Sequence, residues 1–373
     1  MSILLTRPRI GRRCPAAAAL GALGLSLVLT GCGGDAAEAA SCVEGGGSFG
    51  PESDETEEAE PVDDGELVVY SGRNEELLAP LYEQFTEETG IEVSVRYSDS
   101  ATLAGQLLEE GSQTPADVYV SQDAGALGAL AKGGCLADLP EEVLDLVPEG
   151  YRADDGNWVG LTGRARVIVY NPDLVTQDEL PESIEDVTDE QWRGQVGVAP
   201  GNASFQAFVT AMRVLDGEDA ARSFLEGLVD NDVQVFDGNG AILDAVDAGD
   251  LAMGLINHYY RFELAAEVGE ENVTAQLHYL RDGGAGSLIN ISGVAQLAES
   301  DRSEDARALV DFLLSEQAQT YFAEETYEYP LIDGVPTAED LPDLDSLDAP
   351  EFDLSDLDTL AETTDLIAEV GLS

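Results

Sequence analysis

From Glu66 onward the sequence predicts an α/β fold with mainly parallel sheets, divided between two lobes. Short apolar runs rich in β-branched residues alternate with amphipathic helical segments, and this rhythm persists to about Glu324. It occupies roughly 270 residues, more than one ordinary domain, which is why two lobes are expected.

The elements follow in order. Leu67 to Tyr70 reads as a short apolar strand. Glu76 to Thr89 sets Leu77, Leu78, Leu81, Tyr82 and Phe85 on one helical face and stops at Gly90. Ile91 to Tyr97 alternates as a strand, Thr102 to Glu110 is helical, and Pro115 to Val120 leads into the next strand. Further strands are predicted at Val167–Tyr170, Val196–Ala199, Val233–Phe236, Met253–Ile256 and Leu288–Ala295.

The 373 residues include 75 acidic and 17 basic side chains, a formal charge of −58. Such a chain does not bind nucleic acid phosphates or anionic lipid through a basic surface. With 44% hydrophobic residues it is still apolar enough to bury a core.

Four of the basic residues, Arg7, Arg9, Arg12 and Arg13, precede an uncharged apolar run from Ala16 to Leu29 that is short for a membrane span. The run ends in Leu29-Thr30-Gly31-Cys32, which resembles the lipobox of bacterial lipoproteins. Residues 1–31 are therefore expected to be a signal peptide and Cys32 the lipidated residue, leaving the protein on the outer face of the cell membrane. Residues 32–65, rich in Gly, Ala, Ser, Glu and Asp, read as a flexible, self-repelling tether.

Removing residues 1–31 takes away four arginines and no acid, leaving 13 basic against 75 acidic residues, or −62. This surplus suits a protein that stays soluble in high salt or on an acidic surface; stability that fails to rise with added salt would count against it. Cys42 and Cys135 are left after export, and outside the cell either a disulfide or two free thiols is compatible with the sequence.

Catalytic signatures are missing. Asp237-Gly238-Asn239-Gly240 begins like a calcium loop, but Ala241 and Ile242 stand where an oxygen donor and a turn glycine belong. There is no Walker lysine motif or dinucleotide fingerprint, and His258 and His278 have no nucleophile in a recognisable elbow beside them. No enzymatic reaction is expected.

The informative stretch is Gly254-Leu255-Ile256-Asn257-His258-Tyr259-Tyr260, a strand end followed by adjacent tyrosines. Alone, such a pair is as well explained by a core. The chain also carries Leu67-Val68-Val69-Tyr70-Ser71-Gly72-Arg73, Gly163-Arg164-Ala165-Arg166-Val167-Ile168-Val169-Tyr170-Asn171, Trp192-Arg193-Gly194 and Glu328-Tyr329-Pro330-Leu331. In this order and at these intervals the segments resemble the ferric-ion-binding proteins of bacterial ABC importers, over residues 66 to 373.

The resemblance implies a two-lobed periplasmic-binding-protein fold of type 2, each lobe a mixed sheet flanked by helices, with the ligand cleft at the hinge. It would assign residues 66–166 and 290–338 to the first lobe and 167–289 and 339–373 to the second, with crossovers at Arg164–Tyr170 and Leu288–Gly293. It implies capture of Fe(III) by a monomer and delivery to an ABC permease. The implied metal ligands are Tyr259, Tyr260 and Tyr170, whose phenolates suit a small, hard cation. One branch of the family adds a histidine and a glutamate from the first lobe, but Asn74 and Gln122 stand in those places. The first lobe is then expected to give no metal ligand.

The resemblance also implies a seat for a synergistic anion, carbonate, phosphate or citrate, at Asn202, Ala203 and Ser204 ahead of an apolar helix, with Asn239 and Asn257 as further donors. Arg164 or Arg166 can add positive charge there. Ordinary helix capping explains Asn202 and Ser204 equally well. The alternative reading keeps the fold and gives it an organic solute: a polyamine, thiamine or an anionic metabolite.

Overall fold

The computed structural model describes Cys42 and residues 65–372. The signal segment, Cys32 and the tether other than Cys42 and Gly65 lie outside the described residues. Cys42 is bonded to Cys135, a loop of 93 residues.

The chain runs β1 (Leu67–Ser71), α1 (Glu75–Thr89), β2 (Val93–Tyr97), α2 (Ser100–Glu110), β3 (Val118–Ser121), α3 (Ala124–Lys132) and a short α4 (Glu141–Leu144) into β4 (Val159–Tyr170). Next come β5 (Val196–Val198), α5 (Ala203–Asp216), α6 (Glu218–Asp230), β6 (Gln234–Val235), α7 (Asn239–Asp247), β7 (Met253–Asn257), α8 (Tyr259–Val268) and β8 (Gln276–His278). The chain closes with β9 (Ile289–Gln296), α9 (Ser303–Leu313), α10 (Glu316–Glu325), β10 (Tyr329–Pro330) and α11 (Leu360–Glu369).

Local chemistry sets these boundaries. Asp99 accepts from the Thr102 N–H at 2.8 Å and Asp123 from the Ala126 N–H at 3.0 Å, capping α2 and α3. Gly90, at φ 75°, ends α1 by donating to the Thr86 carbonyl.

The strands pair in the order β2-β1-β3-β9-β4-β7-β5-β6, with β8 and β10 each added along β4. Within the two ends of this order the pairs are parallel: β1 with β2 and β3, β5 with β6 and β7. Every pair that includes β4 or β9 is antiparallel. The expectation of mainly parallel sheets is therefore corrected to a mixed sheet. The βαβ units behave as their rhythm predicts, while β4 and β9 carry the chain between the ends and run against their neighbours.

β4 is the shared strand. Its residues up to Ala165 pair with β9, and from Arg166 it pairs with β7. All 12 of its residues are buried, as expected of a strand covered on both faces. At the switch, the Arg166 N–H donates to the Leu288 carbonyl at 2.9 Å, where the chain enters β9. The two half-sheets thus meet at Ala165 and Arg166.

The C-terminal segment touches both halves. Leu354–Asp358 lies along α3, where a Cβ on Gly125 or Gly128 would collide with the carbonyls of Leu357 or Ser355. Lys132 pairs with Asp356 and Asp358 in the same contact, and Trp158 Nε1 donates to Ser355 Oγ at 3.1 Å. α11 then packs on α5, with Thr363 bonded to Thr210 at 2.7 Å. No helix among the described residues is long and apolar enough to cross a membrane.

Candidate metal centre

β7 positions the two tyrosines. Antiparallel to β4, it brings Asn257 opposite Arg166, so α8 starts at the point where the half-sheets meet. His258 locks this corner. Its N–H donates to the Ala165 carbonyl at 3.1 Å, and its Nδ1 accepts from the Ala165 N–H at 3.1 Å. Nε2 therefore carries the proton and donates to the Tyr327 carbonyl at 2.9 Å. Burial pulls the imidazole down to about 4, and the ring is fully covered, edge-on to Tyr259. His258 is a structural pin behind the site.

Tyr259 and Tyr260 stack on each other, ring centroids 4.5 Å apart and 25° between planes. Both line a cavity of about 240 Å³ with Arg73, Asn74, Leu77, Gln122, Glu263, Thr326 and Glu328. Burial and then Tyr260 push the Tyr259 phenol well above its usual value, against the pull of Arg164. A larger groove of about 780 Å³ between α1 and α10 is open and bordered by helix-surface residues such as Glu88, Ser315 and Gln317. Phe312 is its one aromatic residue and no buried polar group lines it, so the chemistry belongs to the smaller cavity.

Beneath the cavity lies an ion-pair network. Arg73 donates Nη1 to Glu328 Oε1 at 3.0 Å and Nη2 to Oε2 at 3.1 Å; Thr162 Oγ1 donates to Oε2 at 2.7 Å. Arg164 Nε stands 3.9 Å from the same carboxylate, and its Nη2 donates to the Ile291 and Gln122 carbonyls. Burial alone would raise the Glu328 carboxyl, but Arg73 and Arg164 hold it below the usual carboxylate value. Glu263, one helical turn past the tyrosines, has no such partner. Burial first and Glu328 second push it up to about 7, with Arg73 opposing.

A second polar cluster flanks Tyr260. Asn202 caps α5, its Oδ1 accepting from the Ser204 N–H at 3.0 Å and Oγ–H at 2.6 Å. Asn239 Nδ2 donates to Ser204 Oγ at 3.0 Å, and Arg166 Nη1 reaches the same oxygen at 3.4 Å. The Arg166 guanidinium lies over Phe205 and Phe208, 5.7 and 5.4 Å from their centroids. Its Nε and Nη2, and Asn239 Oδ1, are buried without a partner among the described residues. Burial lowers the Arg166 guanidinium, with Tyr260 acting in the opposite sense.

Of the residues singled out in the sequence, Tyr259, Tyr260, Asn74 and Gln122 share the cavity, and Arg164 lies under it. Asn202, Ser204 and Asn239 come together with Arg166. Ala203 is the first residue of α5, and Asn257 is buried opposite Arg166 on β7.

Tyr170 is a correction. It ends β4 opposite Met253, at the far end of β7, about 13 Å of strand from the Arg166–Asn257 pair. Its ring is buried, its hydroxyl donates to Oε1 of exposed Gln276 on β8 at 3.0 Å, and it does not line the cavity.

Glu263, Thr326 and Leu77 were not singled out as site residues, and Arg73 and Glu328 stood out only as parts of motifs. Glu263 was findable: it is four residues past Tyr259 on one helix. The Arg73–Glu328 pair spans 255 residues and leaves no local signal.

Residues 113–355 match the family model described as bacterial extracellular solute-binding protein. The Fe(3+)-binding periplasmic protein of Serratia marcescens is 32% identical, over 82% of this chain and 90% of its own. The solved structure of iron-bound HitA from Pseudomonas aeruginosa is 34% identical at a TM-score of 0.76, covering 82% of this chain and 99% of that one. A Trichodesmium protein solved with iron and citrate is 29% identical at a TM-score of 0.73, over 83% and 100%.

Proposed function

Since the chain belongs to the bacterial extracellular solute-binding proteins, a family that binds and hands over solutes rather than transforming them, we propose that its cargo is Fe(III), delivered to an ABC permease. The observation that carries this is the stacked Tyr259–Tyr260 pair opening into a small cavity beside a buried charge network. At about 240 Å³ the cavity is smaller than the 300–1,000 Å³ typical of organic-ligand sites, and Leu77 is its one aliphatic wall. A compact, highly charged cation fits that space better than a polyamine, thiamine or an organic anion.

The phenols bind as phenolates, so loading displaces their protons, and affinity falls with acidity. Closure of one half on the other about β4 and β9 would bring Asn74 and Gln122 against the ion held by Tyr259 and Tyr260. The proposed division into residues 66–166 with 290–338 and 167–289 with 339–373 has support at one boundary, the partner switch of β4 at Ala165 and Arg166, while Leu354–Asp358 lies along α3 of the first half.

A small anion such as carbonate, phosphate or citrate is proposed beside Tyr260, at the α5 N-terminus with Asn202, Ala203, Ser204, Asn239 and Asn257. The support is Arg166, a buried cation with two unpartnered nitrogens, Nε and Nη2, and no carboxylate partner among the described residues. Such a group is costly unless a counter-charge arrives. Acylation of Cys32, which would hold a monomer on the outer face of the cell membrane, is proposed from the lipobox alone.

The test is titration of the protein with ferric citrate while the visible spectrum is recorded. A saturable tyrosinate-to-iron charge-transfer band at one equivalent is expected, lost in Tyr259→Phe and Tyr260→Phe with the fold intact. Absence of the band, or its survival in both variants, overturns the assignment.

A further inference from the structure

Tyr259, Tyr260 and Glu263 occupy the first five residues of α8, and Glu263 follows them by four and three positions. That spacing puts the three side chains on neighbouring rows of one helical surface, and all three line the same cavity. The two cations nearest the cavity are committed elsewhere: Arg73 is bidentate on Glu328, and Arg164 faces the same carboxylate. Among the described residues no hydrogen bond or ion pair engages Glu263, and the charges that act on it are those of Glu328 and Arg73. An unpaired carboxylate beside another carboxylate burdens the empty protein, and a cation in the cavity would relieve it.

Resting on the ferric reading above, we propose that Glu263 is a third anionic oxygen ligand to the iron, so that one helix supplies the protein's charged donors. The charges balance: two phenolates and one carboxylate neutralise a trivalent ion. The donors are all hard oxygens, as Fe(III) prefers. The opposite wall offers Asn74 and Gln122, neutral amides that are weak ligands for this ion. With all three charges on α8, iron can load before the halves close, and the opposite half then meets it with hydrogen-bonding groups rather than charge.

The experiment uses the full chain and Fe(III) supplied as ferric citrate, with affinity read by citrate competition and the charge-transfer band recorded for Glu263→Gln and Glu263→Asp. Both variants are expected to lose affinity, on the order of 100-fold for Gln. Their bands are expected at longer wavelength, because fewer anionic donors leave the iron a stronger Lewis acid. Unchanged affinity and band in Glu263→Gln overturns the proposal. So does wild-type behaviour of Glu263→Asp, which would mean that the carboxylate acts as a distant charge. If the wild type gives no band, the ferric reading itself has failed, a result distinct from either variant outcome.

Discussion

Arg73 and Glu328, 255 residues apart in sequence, form a bidentate ion pair with N–O distances of 3.0 and 3.1 Å, and both residues are almost completely buried. The pair ties the loop after β1 to the segment before β10 in the wall of the cavity. Arg164 shares the same carboxylate. One glutamate thus compensates two guanidinium groups that are almost completely buried.

Glu328→Gln should therefore destabilise the protein by about 3–5 kcal/mol, the cost of leaving buried charge without its partner. Urea unfolding of wild type and variant measures this directly. An unchanged midpoint would mean that Arg73 and Arg164 find other compensation.

His258 predicts a response to acid. Its folded value, about 4, lies below the ordinary 6.5, so the unfolded chain takes up a proton before the folded one does. The neutral ring's contribution is complete above pH 6.5 and is lost as pH falls toward 4, a loss of about 3 kcal/mol at most. His258→Gln should start less stable at pH 7 and lose less than the wild type on acidification. Parallel stability curves for the two proteins would exclude the ring as the acid-sensitive group.

Glu263 predicts the opposite slope. Its folded value of about 7 exceeds the ordinary 4.5, so the folded iron-free protein holds this proton longer than the unfolded chain. Its contribution is present below pH 4.5 and is lost as pH rises through 7. Glu263→Gln should raise the melting temperature of the iron-free protein at pH 8 and leave it nearly unchanged at pH 4.5. Equal melting temperatures at pH 8 would contradict the burial and repulsion described for this side chain.

The elements with strong periodicity were legible. The face predicted for Glu76 to Thr89 is the one α1 buries through Leu78, Leu81, Tyr82 and Phe85, while Leu77 turns out to line the cavity. β4 begins at Val159, well before the Val167 predicted, because a strand covered on both faces shows no alternation, and Gly160 and Gly163 interrupt its apolar run. The tyrosine pair stands in the sequence itself, but the stacking of its rings and the cavity they line do not.

Tyr170 misled because a tyrosine at a strand end carries no sign of which end of the sheet it occupies. That depended on β4 running antiparallel to β7. Arg166 was named as a charge, but its want of a carboxylate partner is a property of packing alone.

The Cys42–Cys135 bond also sets a leash length. With Cys32 acylated as proposed, the covalent path from lipid to folded body is ten residues through the bond and 33 residues to Gly65 without it. Fully stretched, these reach about 35 Å and about 115 Å respectively. On that proposal, oxidation of one pair of thiols would hold the folded body within about 35 Å of the lipid. Reduction would let it range roughly three times as far.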